Sequence, residues 1–169
     1  MEQDSMLEQH SPLGGDARFE VTGLTMREAG GFTLTQYAGT QRLLFRELGV
    51  EAAFGKNEKS AGSTFIRINK TQIWVIGKEL ETRQSLVTPL SSSRCRIALF
   101  GEKARVVLAS CGPLDFSRAN FGTGAYAMTG IHHTPVLIHC TGPESFHIYA
   151  MRSFVLSVWE WLVDAASGL

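Results

Sequence analysis

The feature that most constrains this 169-residue chain is a strand-to-helix succession that recurs three times and is clearest near its end. There Phe146-His147-Ile148-Tyr149-Ala150 alternates as a strand does, and the residues that follow change to a helical period. The pattern predicts a helix over 153–166, capped by Ser153, with Phe154, Val158, Trp161, Leu162 and Ala165 as its inward stripe. Ser157, Glu160 and Asp164 take the opposite face, and Trp159 falls on the shoulder between the two. Burying such a stripe stabilises a fold by several kcal/mol, at roughly 25 cal/mol per Å² of apolar area.

The same order occurs twice upstream. Residues 94–100 put Cys95, Ile97 and Leu99 on one strand face; Gly101 then opens a helix in which Ala104, Val107, Leu108 and Cys111 recur at helical spacing. Gly112-Pro113 stops it. Earlier, Phe32-Thr33-Leu34-Thr35 precedes a helix predicted over 40–48, with Thr40 as N-cap, Leu44 and Leu48 four apart, and Gly49 at its end. Residues 64–68, 72–76 and 135–140 are short and β-branched, and Asn69-Lys70 separates the first two as a hairpin turn does. Strands outnumber helices and each helix follows a strand. The expected fold is therefore α+β, built of strand-helix units whose helices pack on one face of mostly antiparallel sheets.

Residues 1–16 are polar and acidic, end in Pro12-Leu13-Gly14-Gly15, and are expected to form a flexible tail before a single domain over 17–169. The tail has no apolar stretch, so it reads as neither signal peptide nor anchor, and no later run approaches the roughly 18 apolar residues that span a bilayer. Sixteen basic and sixteen acidic side chains cancel, which argues against a nucleic-acid partner. Charged residues make up 19% of the chain, slightly below the usual share, as expected where part of the surface is covered. The three cysteines, Cys95, Cys111 and Cys140, form no Cys-x-x-Cys pair, and their odd number fits reduced thiols in a cytoplasmic protein.

Catalytic patterns are weak. Phe121-Gly122-Thr123-Gly124 is a lone Gly-x-Gly and reads as a loop, not a phosphate cradle. His132, His133, His139 and His147 match no zinc spacing, and the last two sit on otherwise apolar strands as partly buried, hydrogen-bonded histidines. Cys111 ends a helix, where the dipole disfavours a thiolate; Ser91-Ser92-Ser93 lacks a nucleophile elbow and reads as a turn.

A set of segments in constant order does carry a resemblance. They are Ser91-Ser92-Ser93-Arg94, Phe100-Gly101-Glu102-Lys103-Ala104-Arg105-Val106-Val107-Leu108, Cys111-Gly112-Pro113-Leu114-Asp115-Phe116, Pro135-Val136-Leu137-Ile138, Arg152-Ser153-Phe154 and Trp159-Glu160-Trp161-Leu162-Val163-Asp164-Ala165. Over about residues 70–166 the chain thereby resembles the gamma subunit of heterotetrameric sarcosine oxidase, a family that also has a counterpart in N-methylglutamate dehydrogenase complexes. The resemblance implies a fold similar to the folate-binding domain of aminomethyltransferases. It implies an accessory chain without catalytic, cofactor or metal residues, assembled with alpha, beta and delta subunits.

In such a complex FAD, FMN, NAD and tetrahydrofolate lie in other subunits, as does the zinc. The complex demethylates sarcosine or a related N-methyl amino acid oxidatively and passes the one-carbon unit to tetrahydrofolate. On this reading Arg152 and Trp159 are the candidate interface residues, with a carboxylate such as Asp115 or nearby carbonyls as Arg152's alternative partners. A stand-alone folate-binding module is the competing expectation; it needs a buried acid to meet the pterin, for which Asp115 and Glu144 are the candidates.

Overall fold

Two antiparallel sheets lie face to face, and helices close their outer sides. The computed structural model describes residues 11–169. The first sheet runs, in spatial order, β1 (Arg18–Val21), β2 (Leu24–Glu28), β8 (Arg94–Phe100), β11 (Ser145–Met151), β10 (Thr134–Gly142) and β9 (Tyr126–Ile131). The second runs β4 (Glu58–Ser60), β5 (Ser63–Asn69), β6 (Gln72–Ile76), β3 (Leu34–Ala38) and β7 (Leu86–Pro89). Three helices complete the architecture: α1 (Gln41–Leu48), α2 (Ala104–Cys111) and α3 (Val155–Ser167).

The two-residue period of the strands decides the layering. In β6, Ile73 and Val75 join Leu44 and Leu48 of α1 in one cluster, while Trp74 between them points the other way. Trp74 meets Leu34 and Ile66 of its own sheet and Tyr126, Leu137 and Tyr149 of the six-stranded sheet. In β8, β10 and β11 the alternate set, including Ile97, Ile138 and Ile148, packs beneath α2 and α3. Each sheet thus carries its helices on one face and the other sheet on the opposite face. Central strands apolar on both faces require this cover.

Local signals explain the first two helices. The Thr40 hydroxyl accepts the Leu43 N–H at 3.3 Å, and Gly49, at φ 67°, ends α1 while donating its N–H to the Phe45 carbonyl. Ala104, Val107, Leu108 and Cys111 are the buried residues of α2, as their spacing predicts. The third helix differs from its expected form. It begins at Val155 after a 3₁₀ turn over Arg152–Phe154, with no side-chain cap, so Ser153 lies before the helix instead of capping it. Its buried residues are Val155, Val158, Leu162 and Ala166, while Phe154 and Trp161 are 48% and 41% exposed. The stripe is rotated because Trp161, one residue before Leu162, lies about 100° around the helix from it.

Residues 1–10 of the expected tail lie outside the described residues. Its remainder is held: the Ser11 hydroxyl and the Gly15 N–H both donate to the Glu28 carboxylate, and Leu13 packs against the α2–α3 core. At the far rim of the five-stranded sheet, β7 is exposed along its whole length, and Leu86 is 74% exposed. Among the described residues no helix is long and apolar enough to cross a membrane.

Candidate subunit interface

Arg152 sits where β11 turns into α3, and the 3₁₀ turn there controls what its neighbours can bury. A single tight turn points successive side chains in three directions, so no one face gathers the apolar groups. Met151, Phe154 and Leu156 are left 41%, 48% and 52% exposed. Met151 and Leu156 nevertheless border one apolar depression, surface of the kind that partners cover. Antiparallel pairing sets Met151 directly opposite Arg94, which brings a second guanidinium to the same place.

Beneath this junction is a polar cavity of about 270 Å³ walled by Glu28, Arg94, Arg96 and Arg152. Arg96 is fixed by its Nε and Nη2 donating to the carbonyls of Ala29 and Gly30 at 3.0 Å each, with its guanidinium 4.7 Å from the Phe32 ring centre. Arg94 donates through Nη1 to the Ser93 carbonyl and hydroxyl at 3.2 and 3.1 Å and lies over Trp74. Burial lowers the pKa of its guanidinium. A shallower apolar depression formed by Pro12, Met151 and Leu156 adjoins the cavity, sharing Arg94 and Arg152 with it.

Trp161, expected in the inward stripe, is exposed instead. Trp159 is partly buried against the α2–α3 core, as its place on the shoulder of the helix predicts. The Trp161 ring stacks on His132, a turn residue held at φ 51° between β9 and β10. No pattern in the sequence joins these two residues, because 28 intervening positions separate them.

The remaining candidates have structural employment. His139 is 4% exposed, with Nε2 3.3 Å from the Asn57 amide oxygen, and stands directly across from His147 in the β10–β11 ladder. Burial, then the nearby His147 and Lys59, depress the His139 pKa to about 4; burial, then Arg96 and Arg27, bring His147 to about 4 as well. Among the described residues no group of three or more His, Cys, Asp or Glu side chains converges as a metal would require. Cys111 is buried, and burial raises its thiol pKa. The 122–124 segment is a loop in which the Gly124 N–H donates to the Cys140 carbonyl at 2.8 Å. Ser91 opens the turn before β8, its hydroxyl accepting the Leu34 N–H at 2.9 Å.

Neither acid proposed for a pterin is buried. Asp115 is exposed and receives bonds from the Ser117 N–H and the Asn120 amide, while half-buried Glu144 pairs with Arg118 and lies 3.8 Å from Arg105. The buried polar side chains among the described residues are Thr35, Ser63, Arg67 and His139, none of them acidic.

Arg105 is a structural residue that sequence reasoning passed over. It donates to the carbonyls of Pro143 at 2.7 Å and Phe121 at 3.0 Å and covers the Phe146 ring, tying α2 to two loops. Arg94, Met151 and Leu156 were also missed as interface candidates. The available signal was the density of large apolar residues from Met151 to Leu156, more than one helical face can bury.

The architecture defines a class. A chain of heterotetrameric sarcosine oxidase from Corynebacterium sp. U-96, solved with pyrrole 2-carboxylate, superposes with a TM-score of 0.79 at 23% identity, covering 94% of each chain. The glycine cleavage system aminomethyltransferase T from Bartonella henselae superposes with a TM-score of 0.64 at 16% identity, covering 90% of this chain and 49% of that one. This is the two-sheet α+β fold found in about half of an aminomethyltransferase chain. No family model matches the sequence.

Within that class the curated relatives carry one name. The sarcosine oxidase subunit gamma of Corynebacterium sp. (strain U-96) is 35% identical over 81 residues, 48% of this chain and 40% of that protein. The subunit gamma of an Arthrobacter sp is 32% identical over 79 residues, 47% of this chain and 39% of that protein. The chain is similar to the sarcosine oxidase gamma subunits over that stretch, and the match spans less than half the length of each curated relative.

Proposed function

We propose that this chain is a non-catalytic gamma-type subunit of a heterotetrameric flavoenzyme complex. The complex oxidatively demethylates sarcosine or a related N-methyl amino acid and passes the one-carbon unit to tetrahydrofolate. The observation that carries this reading is the kinship with proteins named sarcosine oxidase subunit gamma, at 35% identity over 81 residues. Exposed Met151 and Leu156, which border one apolar depression beside Arg152, support it, since contiguous apolar surface marks sites where partners bind. The partners in this reading are alpha, beta and delta subunits, which hold FAD, FMN, NAD and tetrahydrofolate, and the complex works in the cytoplasm in sarcosine catabolism and one-carbon metabolism.

Co-expression with the candidate flavoprotein subunits, followed by size-exclusion chromatography and flavin absorbance, tests the proposal. Co-elution with the flavin and loss of stable, active complex without this chain are expected. Equal assembly and turnover in its absence refute the proposal. A stand-alone folate-binding module draws on the aminomethyltransferase-like fold, but the buried acid it requires is lacking among the described residues. Calorimetry of the isolated chain with tetrahydrofolate separates the two readings.

A further inference from the structure

We propose that the arginine-walled cavity under the β11–α3 junction receives a carboxylate side chain from a partner subunit, with the partner's adjoining apolar residue seated against Met151 and Leu156. This rests on the subunit reading for the identity of the partner and on local chemistry for the nature of the contact. Among the described residues the cavity wall carries Arg94 and Arg96 against one acid, Glu28, whose carboxylate already accepts from the Ser11 hydroxyl and the Gly15 N–H. An excess of positive charge in a partly enclosed site favours an anion, and a planar guanidinium fork matches a carboxylate.

Arg94 supplies the fork. Both of its hydrogen bonds are made through Nη1, which leaves Nε and Nη2 without a partner among the described residues. Its ring contact with Trp74 and the bonds to Ser93 fix the guanidinium in place before any ligand arrives, so little ordering entropy is lost on binding. The apolar depression begins at the same arginine, within one residue's reach of the cavity. Charge in the cavity and apolar surface at its lip together fit an acidic residue followed by a large apolar one.

The test uses the full chain in two ways. Titration with N-acetyl-glutamyl-leucinamide, followed by NMR, is expected to show saturable binding that weakens at least tenfold with Arg94→Gln or with the glutaminyl version of the dipeptide. In co-expression with the flavoprotein subunits, Arg94→Glu and Leu156→Asp are each expected to cut recovery of the complex at least tenfold. Leu156 is exposed, so its substitution reports on contact even where the arginine variant misfolds.

Assembly of both variants at the wild-type level overturns the inference, as does a dipeptide affinity indifferent to Arg94. Equal binding of inorganic phosphate reassigns the cavity to a free anion and overturns it too. Dipeptide binding only after deletion of residues 2–10, which include Glu2, Asp4 and Glu8, gives the cavity to the chain's own terminus and overturns it likewise. If the dipeptide binds through Arg94 while the wild-type chain joins no flavoprotein, the carboxylate site stands and the sarcosine-oxidase assignment of its partner falls.

Discussion

The Trp161 indole lies over the His132 imidazole with ring centroids 3.4 Å apart and planes inclined by 28°, joining the exposed side of α3 to the β9–β10 turn. The stack is a surface contact, because Trp161 keeps 41% of its exposure. Trp161→Ala is therefore expected to cost only about 0.5–1.5 kcal/mol, the worth of an aromatic pair. Its neighbour Leu162, fully buried, is expected to cost about 2–5 kcal/mol on truncation to Ala. Urea denaturation of the two variants measures the difference, and equal losses would mean that α3 packs with the other phase.

That comparison also marks where the sequence could be read and where it could not. Helix α2 was legible to the residue, since Ala104, Val107, Leu108 and Cys111 are its apolar positions on one stripe and Gly112-Pro113 stops it. Helix α3 was legible as an element but not in phase. Phe154, Val155, Leu156, Val158, Trp159, Trp161, Leu162 and Val163 leave several stripes equally apolar, and only packing against α2 and the sheet selects one. Strand β7 was illegible because Leu86-Val87-Thr88-Pro89 has no buried side to impose alternation. The cavity was illegible for a different reason: Glu28, Arg94 and Arg152 meet only after strands distant in sequence have paired.

The facing pair His139 and His147 predicts a dependence of stability on pH. Both have folded-state pKa values lowered to about 4, below the ordinary value of 6.5, so the unfolded chain binds more protons between those limits. Their contribution is fully present above about pH 6.5 and is lost as pH falls toward 4. For His139 alone the loss is on the order of 3 kcal/mol, because each tenfold drop in proton affinity on folding is worth about 1.4 kcal/mol. Unfolding free energies in urea at pH 7 and pH 5 capture about 2 kcal/mol of it, the remainder being lost nearer pH 4. His139→Gln should flatten the dependence, and an unaltered slope would show that other groups set it.

Arg105→Ala is expected to destabilise the chain by about 2–4 kcal/mol, because the carbonyls of Pro143 and Phe121 lose a charged donor. Arg105→Lys should recover little, since a single ammonium cannot reproduce a fork that reaches carbonyls on two loops. Thermal denaturation resolves this, with each kcal/mol worth about 2–4 °C for a chain of this size. Full rescue by lysine would show that charge alone matters.

Gly101, within the segment that carries the family resemblance, holds φ at 123°, and a Cβ there would collide with the Gly23 carbonyl oxygen. Gly101→Ala is expected to cost about 2 kcal/mol or more through strained backbone and displacement of the β1–β2 turn. Glycine at Gly49 ends α1 with nothing within contact distance of its missing Cβ, so Gly49→Ala should cost less, about 1 kcal/mol. Soluble yield and chemical denaturation of the pair test whether close approach, beyond a positive φ, makes the first position intolerant.

Strand β7 offers an uncovered row of backbone donors and acceptors, with Leu86 beside it, at the end of its sheet. Such a rim is a template for further strands and a foothold for proteases. Limited proteolysis is therefore expected to nick the chain first at this rim, and association of concentrated chains to begin there strand on strand.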